Sequence, residues 1–269
     1  MTSYALDNVR CTVGSFTLSI DDCRLEPGNV YSVVGPNGSG KSSLLNLLGF
    51  LAPPSRGNLL FRDACVDYAD GPHLLSLRRQ VAYLMQNPYL FNMSVADNIG
   101  YGLRVRGCPK EDIRRRVKSI VERMSLTHLA HRNAHYLSGG EAQRVALART
   151  LVLDTDVVLL DEPTASVDRQ NVRALEKTVL DLCREKCATV VLTTHSLDQA
   201  YRMSGNRLSI INGRISGIAY ENVFEGPVQR GANGVPSVAV TKGVEFRVAA
   251  EPPAAHATIA VDPEDIVVS

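Results

Sequence analysis

Nowhere in the 269-residue chain do apolar residues run on for the roughly 18 positions that a membrane-spanning helix needs. The N-terminus also lacks the basic-then-apolar pattern of a secretory signal. Both absences predict a soluble, cytoplasmic protein that reaches a membrane only through a partner. Charge of one sign is missing too. Lys and Arg number 29 against 28 Asp and Glu, a net charge of +1, which gives no bulk attraction for nucleic acid and predicts no such partner. The six cysteines, at 11, 23, 65, 108, 183 and 187, form no C-x-x-C pair, and no histidine completes a zinc pattern. Cys183 and Cys187 stand one helical turn apart, and two small residues on a helix face in a reduced compartment explain that spacing better than a redox pair. What remains is ordinary globular composition, 45% hydrophobic and 21% charged, long enough for one large domain and a small one.

What is present begins with Gly35-Pro36-Asn37-Gly38-Ser39-Gly40-Lys41-Ser42-Ser43. It fits G-x-x-x-x-G-K-[ST], with an apolar strand before it and the helical run Leu44 to Leu48 after it. Glycines let backbone N–H groups turn inward and make a concave anion site that ends on a helix N-terminus. Lys41 adds a point charge for β- and γ-phosphates, and the Ser42 hydroxyl suits Mg²⁺. A glycine-rich strand-to-helix turn needs no ligand, yet every fixed position and both flanks match. The stretch predicts binding of a nucleoside triphosphate.

Around this loop the chain reads as alternating strands and helices. Residues 3–34 alternate like strands, at Tyr4 to Leu6, Phe16 to Ile20 and Asn29 to Val34, and predict a hairpin or meander leading into the loop strand. Gly57 to Phe61 and Val81 to Met85 read as further strands. Residues 87–136 carry polar turns and then a helix from about Pro109 to Met124, with Ile113, Val117, Ile120 and Met124 on one face. Its opposite face holds Arg114, Arg115, Arg116 and Lys118, a solvated face by default and a partner-docking surface as the alternative. Helices are predicted over Gly139 to Leu153, Arg169 to Glu185 and Ser196 to Met203. Val157 to Leu160 and Ala188 to Thr193 are buried parallel strands. Arg207 to Ile211 and Arg214 to Ile218 are joined by Asn212-Gly213, a hairpin signal. Past about Tyr220 helical patterns stop, and Ser237 to Val240, Glu245 to Val248, Thr258 to Val261 and Ile266 to Val268 read as short strands of a small all-β appendage.

Two further stretches carry chemistry. Asp161 and Glu162 end the buried strand 157–160. Strand ends often carry acids simply as caps, but downstream of such a glycine-rich loop the first carboxylate can reach Mg²⁺ and the second can orient or deprotonate an attacking water. Ser138 and Glu141 form a capping box that starts a helix, but Gly139 and Gly140 in its first turn cost about 1 kcal/mol each relative to alanine. Something requires bare backbone there, and a second phosphate approaching the helix N-terminus would explain it.

Together these residues resemble the ATPase subunit of ABC transporters over about residues 3–220. Gly35 to Ser43 is similar to Walker A, Gln86 to the Q-loop, Leu137 to Glu141 to the signature, Val157 to Glu162 to Walker B, Ser166-Val167-Asp168 to the D-loop and His195 to the switch histidine. The resemblance implies an α/β fold: a P-loop NTPase domain over residues 1–220, with a RecA-like core, an antiparallel β subdomain and a helical signature subdomain at about 87–136. It further implies ATP and Mg²⁺ as cofactors and a head-to-tail dimer. Each ATP would be held by one subunit's loop and the other's Ser138, Gly139, Gly140 and Glu141, with Asp168 at the same interface. Gln86 would sense Mg²⁺ and the attacking water, Glu162 would be the catalytic base, and His195 would contact the γ-phosphate. A lone histidine at a strand end is commonly structural, but the context Leu192-Thr193-Thr194-His195-Ser196-Leu197-Asp198 favours the switch role.

Three features depart from the family pattern. Glu141 stands where Gln is commoner, and Ser43 where Thr is usual. The aromatic that stacks on adenine is expected near Cys11, Thr12 and Val13, yet the only nearby aromatics are Tyr4 and Phe16. Residues 221–269 look like a short TOBE-type module, either ligand-binding or a spacer and dimer contact. With Met85 to Phe91, the tail resembles tungstate/molybdate-type importers most. The expectation is an importer ATPase at the cytoplasmic face of the membrane, bound to a permease and indirectly served by a solute-binding protein. A soluble ABC ATPase and an exporter subunit are the alternatives.

Overall fold

The computed structural model describes residues 2–167, 169–216, 223–230, 236–241, 244–247 and 256–260. They fall into two compact units, Met1–Ile215 and Ser216–Ser269. A ten-stranded sheet carries the larger unit. Its strands are β1 (Tyr4–Val13), β2 (Phe16–Leu25), β3 (Val30–Val34), β4 (Arg56–Phe61), β5 (Ala64–Cys65), β6 (Val81–Leu84), β7 (Val157–Asp161), β8 (Thr189–Thr193), β9 (Asn206–Ile211) and β10 (Arg214–Ser216). They lie in the order β5-β4-β1-β2-β10-β9-β3-β8-β7-β6. The helices are α1 (Lys41–Leu48), α2 (Gly71–Arg79), α3 (Val95–Val105), α4 (Lys110–Arg123), α5 (Gly139–Leu151), α6 (Arg169–Glu185) and α7 (Leu197–Met203).

Strands β9, β3, β8, β7 and β6 run parallel, and every residue of β7 and β8 is buried. That is why these strands read as unbroken apolar runs, since helices cover both faces. The pleat divides them between two core layers. Val158, Leu160, Val190 and Leu192 join Leu84, Ile99 and Leu147 on the side of α3 to α6. Leu159 and Val191 pack with Leu44, Leu48 and Phe50 on the other. Each such leucine contributes about 2 kcal/mol by leaving water.

Of the expected hairpin or meander, the hairpin forms, and β3 stays out of it. β1 pairs antiparallel with β2 and β4, but β3 lies between β8 and β9 in the parallel core. Val30 to Val34 is nearly all buried; a strand apolar on both faces belongs at the centre of a sheet, not beside a half-solvated hairpin. Asn212-Gly213 turns as expected, with φ of 48° and 75°. Helices α2 and α3 were not legible in the sequence. α3 carries Gly100 and Gly102, which weaken any helical reading. The second of these packs closely on Leu153, whose Cδ2 would sit 2.7 Å from a Cβ at 102.

On α4, Ile120 and Met124 are buried as expected, and Ile113 and Val117 pack partly buried against the same core. The three arginines of its basic face are ion-paired. Arg114 pairs with Glu111 at 2.7 Å, Arg115 and Arg116 with Asp112, Arg116 also with Asp154, and Arg123 with Glu185. This favours the solvated-face reading over a docking surface. Of the second unit, β11 (Val223–Arg230), β12 (Pro236–Thr241), β13 (Val244–Arg247) and β14 (His256–Ala260) form an antiparallel sheet in the order β13-β12-β11-β14. The first strand was not anticipated, and the expected strand at Ile266 to Val268 lies outside the described residues.

Candidate functional site

The glycine-rich loop leaves the end of β3 and enters α1 at Gly40, which takes φ 112° and offers no side-chain cap. The first N–H groups of α1 therefore lack the partner that a capping residue would supply. Lys41 folds back over the loop and donates from Nζ to Gly35 O at 2.8 Å and Pro36 O at 2.9 Å. Burial pushes its ammonium below the ordinary lysine value, opposed by the carboxylates of Glu162 and Asp161. A Cβ on Gly35 would lie 2.2 Å from Ile210 O, so only glycine lets the loop rest on β9. Ser39 Oγ is buried without a hydrogen-bond partner. An orphaned hydroxyl, uncapped N–H groups and a bent-back lysine together make a donor set that fits a polyphosphate.

Asn37, Gly38, Gly40, Lys41, Ser42 and Ser43 line one cleft of about 490 Å³ with Gln86, Asp161 and Glu162. Hydroxyl, carboxylate and amide oxygens from Ser42, Asp161 and Gln86 are the hard donors that Mg²⁺ takes. The sheet brings the parts together: β3 and β7 flank β8, so the loop and the two carboxylates emerge at neighbouring carboxyl ends. Asp161 is buried, and its Oδ1 accepts from Thr193 Oγ1 at 2.5 Å. Glu162 turns sharply away from the strand with φ 47°. That left-handed conformation is costly for a residue with a side chain and gathers at functional sites. It points Glu162 Oε2 toward His195 Nδ1, 3.3 Å away. Glu162 also lines a second cleft, of about 550 Å³, with His195 and Gln199.

Ser138, Gly139, Gly140 and Glu141 stand apart. Among the described residues lining the loop cleft, none comes from this stretch. The capping box forms, with Glu141 N–H donating to Ser138 Oγ at 3.4 Å and Ser138 N–H to Glu141 Oε2 at 2.8 Å. Those bonds from the Ser138 N–H and hydroxyl hold the Glu141 carboxyl below its ordinary value. Ser138 and Gly139 are exposed. The demand for bare backbone at Gly140 has a local cause in this chain, because a Cβ there would meet Ser166 O at 2.9 Å. Further along α5, Gln143 Nε2 donates to Pro163 O at 3.2 Å and ties the helix to the turn after Glu162. Asp168 lies outside the described residues.

Of the two aromatics near the hairpin, Tyr4 is fully buried and donates to Leu48 O at 2.8 Å. Phe16 instead lines the loop cleft beside Val13, its cross-strand partner, which is 58% exposed. Sequence reasoning missed Thr193 and Gln143. The signal for Thr193 was a hydroxyl closing the otherwise apolar run Val190-Val191-Leu192.

Comparison with known proteins places these features in context. Residues 18–165 match the family model described as ABC transporter. The tungstate uptake ATP-binding protein TupC of Peptoclostridium acidaminophilum is 36% identical over 202 residues, 75% of this chain and 91% of that protein. The sulfate/thiosulfate import ATP-binding protein CysA of Vibrio cholerae is 37% identical over 80% of this chain, and the molybdate/tungstate import ATP-binding protein WtpC of Pyrococcus horikoshii 36% identical over 74%. The chain spans only 58% and 57% of the length of those two. Among solved structures, cbiO1 of Clostridium perfringens, part of the ABC transporter complex cbiONQ, superposes with a TM-score of 0.73 at 29% identity over 80% of this chain and 87% of that one. The dimeric ATP-binding cassette MJ0796 bound to ADP and Pi gives 0.71 at 26% identity over 79% and 96%.

Proposed function

Because the chain belongs to the ABC transporter family of ATP-binding proteins, we propose that it is the ATP-hydrolysing subunit of an importer, driving uptake of a small solute through a separate membrane permease. One observation carries the reading: Lys41, Ser42, Gln86, Asp161 and Glu162 converge on a single cleft whose lining excludes Ser138 to Gly140, of which Ser138 and Gly139 are exposed. The cleft is then half a site. In the proposed head-to-tail dimer, Ser138, Gly139, Gly140 and Glu141 of a second copy close over the phosphates, with Asp168 at the same interface.

Lys41 exchanges the carbonyls of Gly35 and Pro36 for β- and γ-phosphate oxygens, and Ser39 Oγ gains the acceptor it lacks. Ser42, Asp161 and Gln86 would hold Mg²⁺, which would offset phosphate charge in the bound nucleotide. Glu162 takes the proton of the attacking water, and His195, already 3.3 Å from that carboxylate, contacts the γ-phosphate. On the base side, Val13 and Phe16 supply an apolar wall without a polar readout.

Permease contact falls to the surface around Met85, Tyr89 and Tyr101, which are 53%, 76% and 39% exposed and line a cleft of about 390 Å³. An exposed aromatic cluster of this kind suits a protein partner. Met85 adjoins Gln86, so a push on this surface reaches the site through one peptide bond. Among the described residues no helix is long and apolar enough to cross a membrane; the proposal places the spanning segments in permease subunits and this chain at their cytoplasmic face. The names of TupC, WtpC and CysA support a small oxyanion as the cargo class.

The test is Glu162→Gln in the assembled transporter and in the isolated chain. ATP should then trap a dimer, read by light scattering, while hydrolysis falls by roughly 100-fold or more. Hydrolysis persisting at the unmodified rate would remove Glu162 as the base.

A further inference from the structure

We propose that Thr193 is a positioning residue that sets both carboxylates of the site at once, an inference that rests on the ATPase reading above. Thr193 ends β8 with no exposed surface, in register with Asp161 of β7 on one side and Val33 of β3 on the other. Its single hydroxyl does two jobs. Oγ1 donates to Asp161 Oδ1 at 2.5 Å and accepts from the Glu162 N–H at 3.0 Å. The first bond fixes which oxygen of Asp161 is engaged and leaves Oδ2 for the cleft. The second holds the N–H of a residue forced to φ 47°, the turn that swings Glu162 out of the strand and toward His195.

Strand chemistry alone does not ask for this residue. Positions 190 to 192 are Val, Val and Leu, and valine has the shape of threonine without either bonding function. With valine at 193, a buried carboxylate oxygen and the half-buried Glu162 N–H would both lose their partner, and the group that suffers is the one whose geometry the reaction uses. The same segment ties itself to the carboxylate turn a second time. Gln199 accepts from Thr194 Oγ1 at 2.6 Å and donates to Thr164 Oγ1 at 2.7 Å. The two links make residues 161–164 and 193–199 one hydrogen-bonded unit, in which the Thr193 hydroxyl bonds to both Asp161 and Glu162.

Thr193→Val and Thr193→Ser in the full chain test this. Thr193→Val should lower kcat by about tenfold or more, because a displaced base costs rate. It should also weaken ATP binding in Mg²⁺, measured by calorimetry, while leaving binding in EDTA as in the parent chain. Thr193→Ser, which keeps the hydroxyl, should restore both readouts. If Thr193→Val does not fold, Thr193→Ala carries the same expectations. Parent-like kcat and Mg²⁺-dependent binding in the variant without the hydroxyl would overturn the proposal, as would a Thr193→Ser chain as impaired as Thr193→Val. A parent chain that neither binds nor hydrolyses ATP would sink the ATPase reading instead, which keeps the two failures distinct.

Discussion

Val13→Tyr is expected to tighten nucleotide binding, and the size of the gain follows from where Val13 sits. It closes the β1–β2 hairpin opposite Phe16, 58% exposed, on the wall of the cleft that holds the phosphate loop. Direct cross-strand partners share a face of the sheet, so a tyrosine at 13 stands beside the Phe16 ring and not behind it. Little core is disturbed, because the replaced side chain is mostly in water and tyrosine suits a strand. An aromatic pair adds about 0.5–1.5 kcal/mol beyond area burial, which converts to a gain between about twofold and about tenfold in affinity. Calorimetry with ATP measures it, and inorganic tripolyphosphate is the control, since it carries phosphates without a base. ATP should bind more tightly while tripolyphosphate does not change. Unchanged ATP affinity would refute the assignment of this wall to the base, and an equal gain for tripolyphosphate would refute the stacking argument.

Three other expectations test separate parts of the structure. Lys41→Ala and Ser138→Ala should each abolish hydrolysis, while a mixture regains activity, because a heterodimer holds one intact loop facing one intact Ser138; a mixture as inactive as its parts would argue against shared sites, and Ser138→Ala alone should cost about 0.5–2 kcal/mol of stability as a lost helix cap. Among the thiols, the exposed Cys65 and Cys187 should react with a thiol reagent in the folded chain, whereas Cys11, Cys23 and Cys183 should react only on unfolding. Burial raises Cys23 to about 11 and Cys183 to about 12 from 9.0. Above pH 9 the unfolded chain therefore sheds protons that the folded chain keeps, so the contribution of these thiols to stability is complete below 9 and falls away toward 12; a denaturation midpoint that rises over that window would contradict the sign. Gly102→Val should destabilise by about 1–3 kcal/mol through overpacking against Leu153, seen as a lower Tm, and an unchanged Tm would mean that Leu153 simply swings aside.

The site was more legible in the sequence than the fold around it. Gly35 to Ser43, Asp161-Glu162 and the capping box of Ser138 and Glu141 are local devices, each needing only its own residues and neighbours, and such devices show in linear order. Helix α3 was invisible because Gly100 and Gly102 argue against it locally, while Val95, Ile99 and Leu103 find their core only in the fold. Adjacency in sequence showed the β1–β2 hairpin but not the neighbours of β3, which burial on both faces placed between β8 and β9.

By itself the sequence determined the chemistry on offer: a phosphate loop, a carboxylate pair, a helix start with bare backbone, and no apolar run able to span a membrane. Tertiary structure decided which of these groups share a cleft. It separated Ser138 to Gly140 from the loop of the same chain, chose Phe16 over the buried Tyr4 for the cleft wall, and set Thr193 between two carboxylate residues 32 and 31 positions away. Motifs are local in the chain and can be read there. The register of parallel strands is a long-range balance of burial and hydrogen bonding, and it alone puts a threonine hydroxyl where Asp161 and Glu162 both need it.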